Sequence, residues 1–150
     1  MIFIEHNVPS SKNSKIHTKS GSVFMSATVQ KYLRLIGIQS YSASKKTVVE
    51  YKTRPNLFRL NTEAYMKANF DFSKGEPLEL GIHFVRNSKH KFDFGNIQQI
   101  VADLLVAHRI IPDDNMDYMI PIPMKVNNLW YSYDKTNPGV YLEVINPNIP

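Results

Sequence analysis

Apolar and polar residues alternate most cleanly in "LELGIHFV". Leu78, Leu80, Ile82 and Phe84 fall on one side and Glu79, Gly81 and His83 on the other, which predicts a strand. The period then changes. In "KFDFGNIQQIVADLLVAHRIIPDD", Ile97, Ile100, Val101, Leu104 and Leu105 recur at helical spacing, so a long amphipathic helix is predicted. Asp93 is placed to cap it, Phe92 and Ile97 to form a hydrophobic staple, and Pro112 to end it. Asn96, Gln99 and Asp103 lie along one flank. A second helix is predicted in "SATVQKYLRLIG", capped by Ser26, with Val29, Tyr32, Leu33 and Ile36 on one face and Gly37 at its stop. "NTEAYMKANF" reads as a short helix. "MIFIEHNVP" is a first strand stopped by Pro9, and "KKTVVEYK" is a β-branched strand ending before Pro55. The prolines of "YMIPIPMK" imply an edge strand or a bulge. "GVYLEVIN" is the last strand, followed by a frayed end. "PSSKNSKIHTKSGS" reads as a loop, because serine, asparagine and glycine satisfy backbone groups locally.

The order of elements suits an α+β domain of two layers, with helices on one face of a mixed sheet. Neither a repeat nor a long linker divides the chain, so a single domain over residues 1–150 is expected. At 43% hydrophobic residues the chain can build a real core. The absence of cysteine excludes disulfides and thiolate metal sites, and fits a reducing compartment such as the cytoplasm. The first residues carry no basic region before their apolar run, so no signal peptide is expected, and no apolar run is long enough to cross a membrane.

Charge adds a partner class. Eighteen Lys and Arg against 13 Asp and Glu leave a net charge of +5, which suits a polyanionic partner, nucleic acid first, and equally a soluble basic protein without such a partner. The positive residues gather in the N-terminal loop, at Lys12, Lys15, Lys19 and His17, and in the turn "RNSKHK". Five histidines include no HxxxH pair, and His108 continues the apolar stripe of the long helix, as a packed or C-terminal capping residue does. No phosphate-cradling glycine loop and no nucleophile elbow occur.

The acids remain. Asp93 precedes the long helix, and Asp113 and Asp114 follow it. Capping and a solvated turn explain them without any chemistry. Alternatively, two or three carboxylates suffice for a hard cation such as Mg²⁺, which can activate water against a phosphodiester. One straight helix holds its ends roughly 25 Å apart. Cooperation therefore requires the chain after Ile111 to turn back, or a second subunit to supply one end.

With this spacing, "DFGNIQQIVADLLVAHRIIPDD" resembles the RusA-type Holliday junction resolvases, small homodimeric endodeoxyribonucleases. In that family an Asp-x-Asp-Asn opens a helix, two adjacent acids follow it, and a strand then ends near a lysine, here Lys125. "VPSSKNS" is similar to the family's loop after its first strand, and "GVYLEVI" to its last strand. The likeness is strongest from Leu78 to Lys125. It implies a RusA-like domain that cuts branched DNA as a homodimer with Mg²⁺, or Mn²⁺ in its place. By it, Asp93 and Asp114 are the metal-binding acids, Asp113 assists, and Asn96 is the motif's asparagine. Lys12, Lys15, Lys19, Lys89 and Lys91 would bind DNA phosphates, with Asn96 and Gln99 beside them. Phe24 or Tyr32 could contact opened bases, although core packing is their ordinary use. Two positions depart: Gly95 stands where the second acid is expected, and Gln99 where the family often has a lysine. Asp103, Asp117 or His90 could replace the missing ligand; their ordinary places are a solvated helix flank, a turn and a basic loop. The departures also allow a DNA-binding module that has lost catalysis.

Overall fold

The computed structural model describes residues 1–10, 15–17, 23–25, 27–42, 47–50 and 56–150. They form a mixed α+β structure with a five-stranded mixed sheet and three α-helices. The sheet runs in the order β1 (Ile2–Glu5), β9 (Gly139–Val144), β6 (Leu78–Arg86), β7 (Met119–Pro123), and β8 (Ser132–Tyr133) pairs with the far end of β6. β9 is antiparallel to both its neighbours, whereas β7 and β8 run parallel to β6. β7 lies at the edge, where Pro121 and Pro123 need no partner for the N–H they lack. Gly139 lies where strands pack too closely for a side chain: an added Cβ would stand 2.3 Å from the Ile4 carbonyl oxygen.

Alternation places Leu78, Leu80, Ile82 and Phe84 in one core with Val29, Tyr32 and Leu33 of α1 (Ala27–Leu35), Phe58 and Met66 of α2 (Leu57–Asn69), and Ile97, Val101, Leu104 and Leu105 of α3 (Phe94–Ala107). The opposite side of β6 is covered too. A Cβ on Gly81 would meet Ile145 at 2.8 Å and Met124 at 2.9 Å, and His83 is fully buried, 2.9 Å from the Met124 carbonyl and 2.7 Å from Ser132 Oγ. The half-polar face of "LELGIHFV" therefore meets chain from the β7–β8 and C-terminal segments rather than solvent.

Other expectations change. Inside the predicted N-terminal loop, Lys15–His17 form β2, which pairs with β3 (Val23–Met25) just beyond it, because backbone pairing opposite a second strand outweighs local turn preference. The segment after α1, not predicted as a strand, forms β4 (Ile38–Ser42) against β5 (Thr47–Glu50), and Gly37, at φ 92°, makes the preceding stop. The short helix predicted at 61–70 begins earlier, because Asn56 caps α2 by accepting from the Arg59 N–H at 2.8 Å. The C-terminal segment is tied down instead of frayed. The Asn146 side chain accepts from Glu79 N–H at 2.8 Å and donates to Pro77 O at 3.0 Å, while Asn148 brackets Asp71 at 2.7 and 3.1 Å. Tyr32 is core, at 2% exposure, and burial raises its phenol well above the usual range, so it contacts no opened base. No helix among the described residues is long and apolar enough to cross a membrane.

Candidate functional site

β6, α3 and β7 form a crossover: two adjacent parallel strands joined through a helix. The crossover sets where the acids go. α3 starts beside the end of β6 and returns toward its beginning, where Leu78 pairs with Met119. Asp93 caps α3 as expected, its Oδ1 accepting from the Gly95 N–H at 2.8 Å. At the other end His108 is buried, and its Nδ1 lies 2.7 Å from the Leu104 carbonyl. That nitrogen must carry the proton, so Nε2 accepts from Asn56 Nδ2 at 2.7 Å and ties the C-terminus of α3 to the N-terminus of α2.

The chain then reverses. Arg109 adopts a left-handed φ of 59°, its N–H donates to Val106 O, and the Ile110 N–H donates to Leu105 O. This pair of bonds is the Schellman stop. Ile111 is buried, and the next residues run back beside α3. As a result the Gln99 Nε2 donates to Asp114 Oδ2 and to Asp103 Oδ1, at 2.9 Å each. The two carboxylate oxygens thus flank one amide nitrogen. Gln99 is six residues from Asp93, about 9 Å along a helix axis, against the roughly 25 Å between the helix ends.

Asp114 is therefore brought to Gln99 and Asp103. Asp103 is half-buried in this cluster rather than solvated on the flank. Asp113 is spent on the turn, accepting from Asp114 N–H at 2.7 Å and from the Asn115 side chain at 3.3 Å. Asn96 is half-buried one turn before Gln99; Asp117 and His90 are exposed, as their ordinary readings had them. Gly95 is helical without a positive φ, and a Cβ on it would meet only Asp93 Oδ1, at 3.3 Å. Positions 95, 99 and 103 are spaced by four, so they form one row along α3, and the row lacks a side chain at its head.

Among the described residues no three His, Asp or Glu side chains form a group that could hold a metal. The Asp103–Asp114 pair does fit a hard cation. Its donors are all oxygen, and the amide N–H₂ between them marks the point toward which both carboxylates direct negative potential. Asp93 serves at the cap, so Asp103 is the nearer companion for Asp114.

Of the basic residues, Lys12 and Lys19, like the capping Ser26, lie outside the described residues, and Lys15 is described only as backbone within β2. Phe24 is likewise described only as backbone, in β3. Lys89 and Lys91 are exposed on the β6–α3 loop. Sequence reasoning overlooked the aromatic cluster beside them. Phe92 meets Tyr131 edge-on at 5.0 Å, Lys125 stands over the Trp130 ring at 5.0 Å, Lys89 over Tyr133 at 5.2 Å, and Arg86 over Phe92 at 5.0 Å. The signal was legible in "KVNNLWYSYDK", where three rings follow an Asn-Asn turn and a lysine stands at either end.

No known family model matches the chain, and no curated protein matches it in sequence.

Proposed function

We propose that this protein is a Mg²⁺-dependent, structure-selective endodeoxyribonuclease similar to the RusA-type Holliday junction resolvases, acting on branched DNA as a homodimer. The observation that carries the reading is the return of Asp114 to Gln99, which brings an acid from beyond α3 back along the helix toward its start, as cooperation of the acids within one subunit requires. Asp114 and Asp103 would hold the ion, with Asp93 at the head of the helix toward the DNA. Bound there, Mg²⁺ supplies an activated water and neutralises charge on the scissile phosphate. Gln99 orients both carboxylates through one amide. Lys89 and Lys91 hold backbone phosphates, which positions the DNA without reading its sequence. Two sites related by a two-fold axis suit two symmetric cuts across a four-way junction.

Gly95 and the neutral Gln99 favour a second reading, a DNA-binding module on the same frame without catalysis. One experiment separates the two. Purified protein should nick a synthetic four-way junction in Mg²⁺ and not in chelator. Asp114→Asn should abolish cutting while keeping junction binding. Binding without cutting by the parent selects the second reading. Undiminished cutting by Asp93→Asn, Asp103→Asn and Asp114→Asn alike would falsify the site. Asn caps helices as well as Asp, so loss of cutting in Asp93→Asn cannot be laid to a lost cap.

A further inference from the structure

At the N-terminal end of α3 lies a pocket of about 350 Å³ lined by Phe84, Lys91, Phe92, Phe94, Trp130 and Tyr131, together with Pro123. Phe92 and Phe94 flank Asp93 in the chain, so the pocket opens next to the start of α3. Its outer wall is fixed by a tight turn. Asn127 and Asn128 both take left-handed φ, 51° and 65°, and Val126 and Leu129 exchange backbone hydrogen bonds of 2.9 and 3.0 Å. Such a primed two-residue turn holds the flanking residues opposite each other, here Lys125 and Trp130. Trp130 and Tyr131 are nevertheless 59% and 53% exposed. Large rings held outward by a rigid turn form a ready contact surface.

We propose that this pocket receives one unpaired nucleobase of a DNA strand, stacked on Trp130 or Tyr131, with the strand's phosphates along Lys91 and Lys125. The inference rests on the branched-DNA reading and deepens it: the protein holds an unpaired base at the head of α3, about 9 Å along the helix axis from Gln99 and its acids. Charge selects this occupant. A nucleotide joins a flat π face to an anion, and the pocket joins aromatic faces to Lys91, with Lys125 held over a ring. An apolar peptide would leave those cations unanswered, and a second copy of the chain would bring the same cations to the contact.

Trp130 is the sole tryptophan of the chain, so its emission reports the pocket directly. Three probes are titrated into the full protein: a short deoxythymidine oligomer, a blunt duplex of equal length, and an abasic strand of equal length. The oligomer should quench Trp130. The abasic strand and the duplex should bind through phosphates with little quenching. Trp130→Ala or Tyr131→Ala should weaken oligomer binding, read by anisotropy, roughly 5- to 150-fold, the worth of one base–aromatic stack. The same variants should change abasic-strand binding far less.

Three results overturn the proposal: no oligomer binding, equal quenching by the abasic strand, or oligomer binding that leaves Trp130 emission unchanged. Emission that instead depends on protein concentration without DNA, with a sedimenting dimer lost in Trp130→Ala, assigns the patch to a subunit contact and overturns it as well. Junction cutting is scored separately. Cutting without quenching removes this inference alone, and quenching without cutting removes the nuclease reading alone.

Discussion

Gly95→Asp restores an acid at the head of the row formed by positions 95, 99 and 103, and its consequences can be worked from the local geometry. Gly95 is the second residue of α3, exposed, with no positive φ, so a side chain there is not strained by the backbone. Replacing glycine within a helix by aspartate gains about 0.3 kcal/mol from propensity. A carboxylate in the first turn gains a further 0.3–1 kcal/mol or so from the helix dipole. Against this stands Asp93, whose Oδ1 would lie 3.3 Å from the new Cβ and must give by a few tenths of an ångström. Two exposed carboxylates about 4 Å apart repel by about 1 kcal/mol in water. Stability in chelator should therefore stay within about 1 kcal/mol of the parent.

Metal binding should not stay level. Position 95 lies one helical turn before Gln99, whose amide holds Asp114. A dication about 4 Å from one added charge gains about 2 kcal/mol even at the dielectric of water, and screening by salt reduces this. An affinity gain of about tenfold or more is expected, with faster junction cutting. Mn²⁺ titration by calorimetry or electron paramagnetic resonance at fixed ionic strength measures it, beside melts in chelator and in Mg²⁺. Gly95→Ala is the control, since it carries the propensity gain without the charge. If Gly95→Asp folds as stably as the parent and its Mn²⁺ affinity stays within twofold, no cation binds along this flank and the assignment of the acid row is wrong.

Three further outcomes are expected. Asn56→Ala removes the cap of α2 and the donor to the buried His108 Nε2, so denaturation should show a loss of about 2–4 kcal/mol; a loss below 1 kcal/mol would show that Asn56 does not couple the two helices. Arg109→Gly should stabilise by roughly 1 kcal/mol in the same assay, because glycine takes the left-handed φ of 59° without the cost borne by an L side chain; destabilisation would mean that arginine contacts outweigh backbone strain there. Arg59, then Lys67, hold the Glu63 carboxyl down at about 2, at 2.8 and 2.9 Å, so its contribution is present above the unfolded value near 4.3 and fades as pH falls toward 2. The triad is partly exposed and should be worth under about 1 kcal/mol; parent and Glu63→Gln should differ at pH 7 and converge near pH 2, and a difference that grows in acid would reverse the sign argued here.

Local rules wrote much of the frame into the sequence. The alternation of β6, the apolar stripe of α3, the cap at Asp93, the capping His108 and the edge prolines of β7 each depend on a few neighbouring residues and a fixed period. The acid-helix-acid spacing was likewise readable, because it is a matter of counting. Which acids meet was not. That depended on Arg109 entering a left-handed conformation that local preference disfavours, and on Ile111 burying itself so that the chain doubled back to Gln99. The closed second face of β6 and the anchored C-terminal segment rest on contacts such as Glu79 to Asn146, 67 residues apart, which no local period records. The aromatic pocket belongs to the same class. Its rings come from β6, the β6–α3 loop, the first residue of α3 and the segment before β8, and the parallel pairing of β8 with the end of β6 brings the last of these to the others.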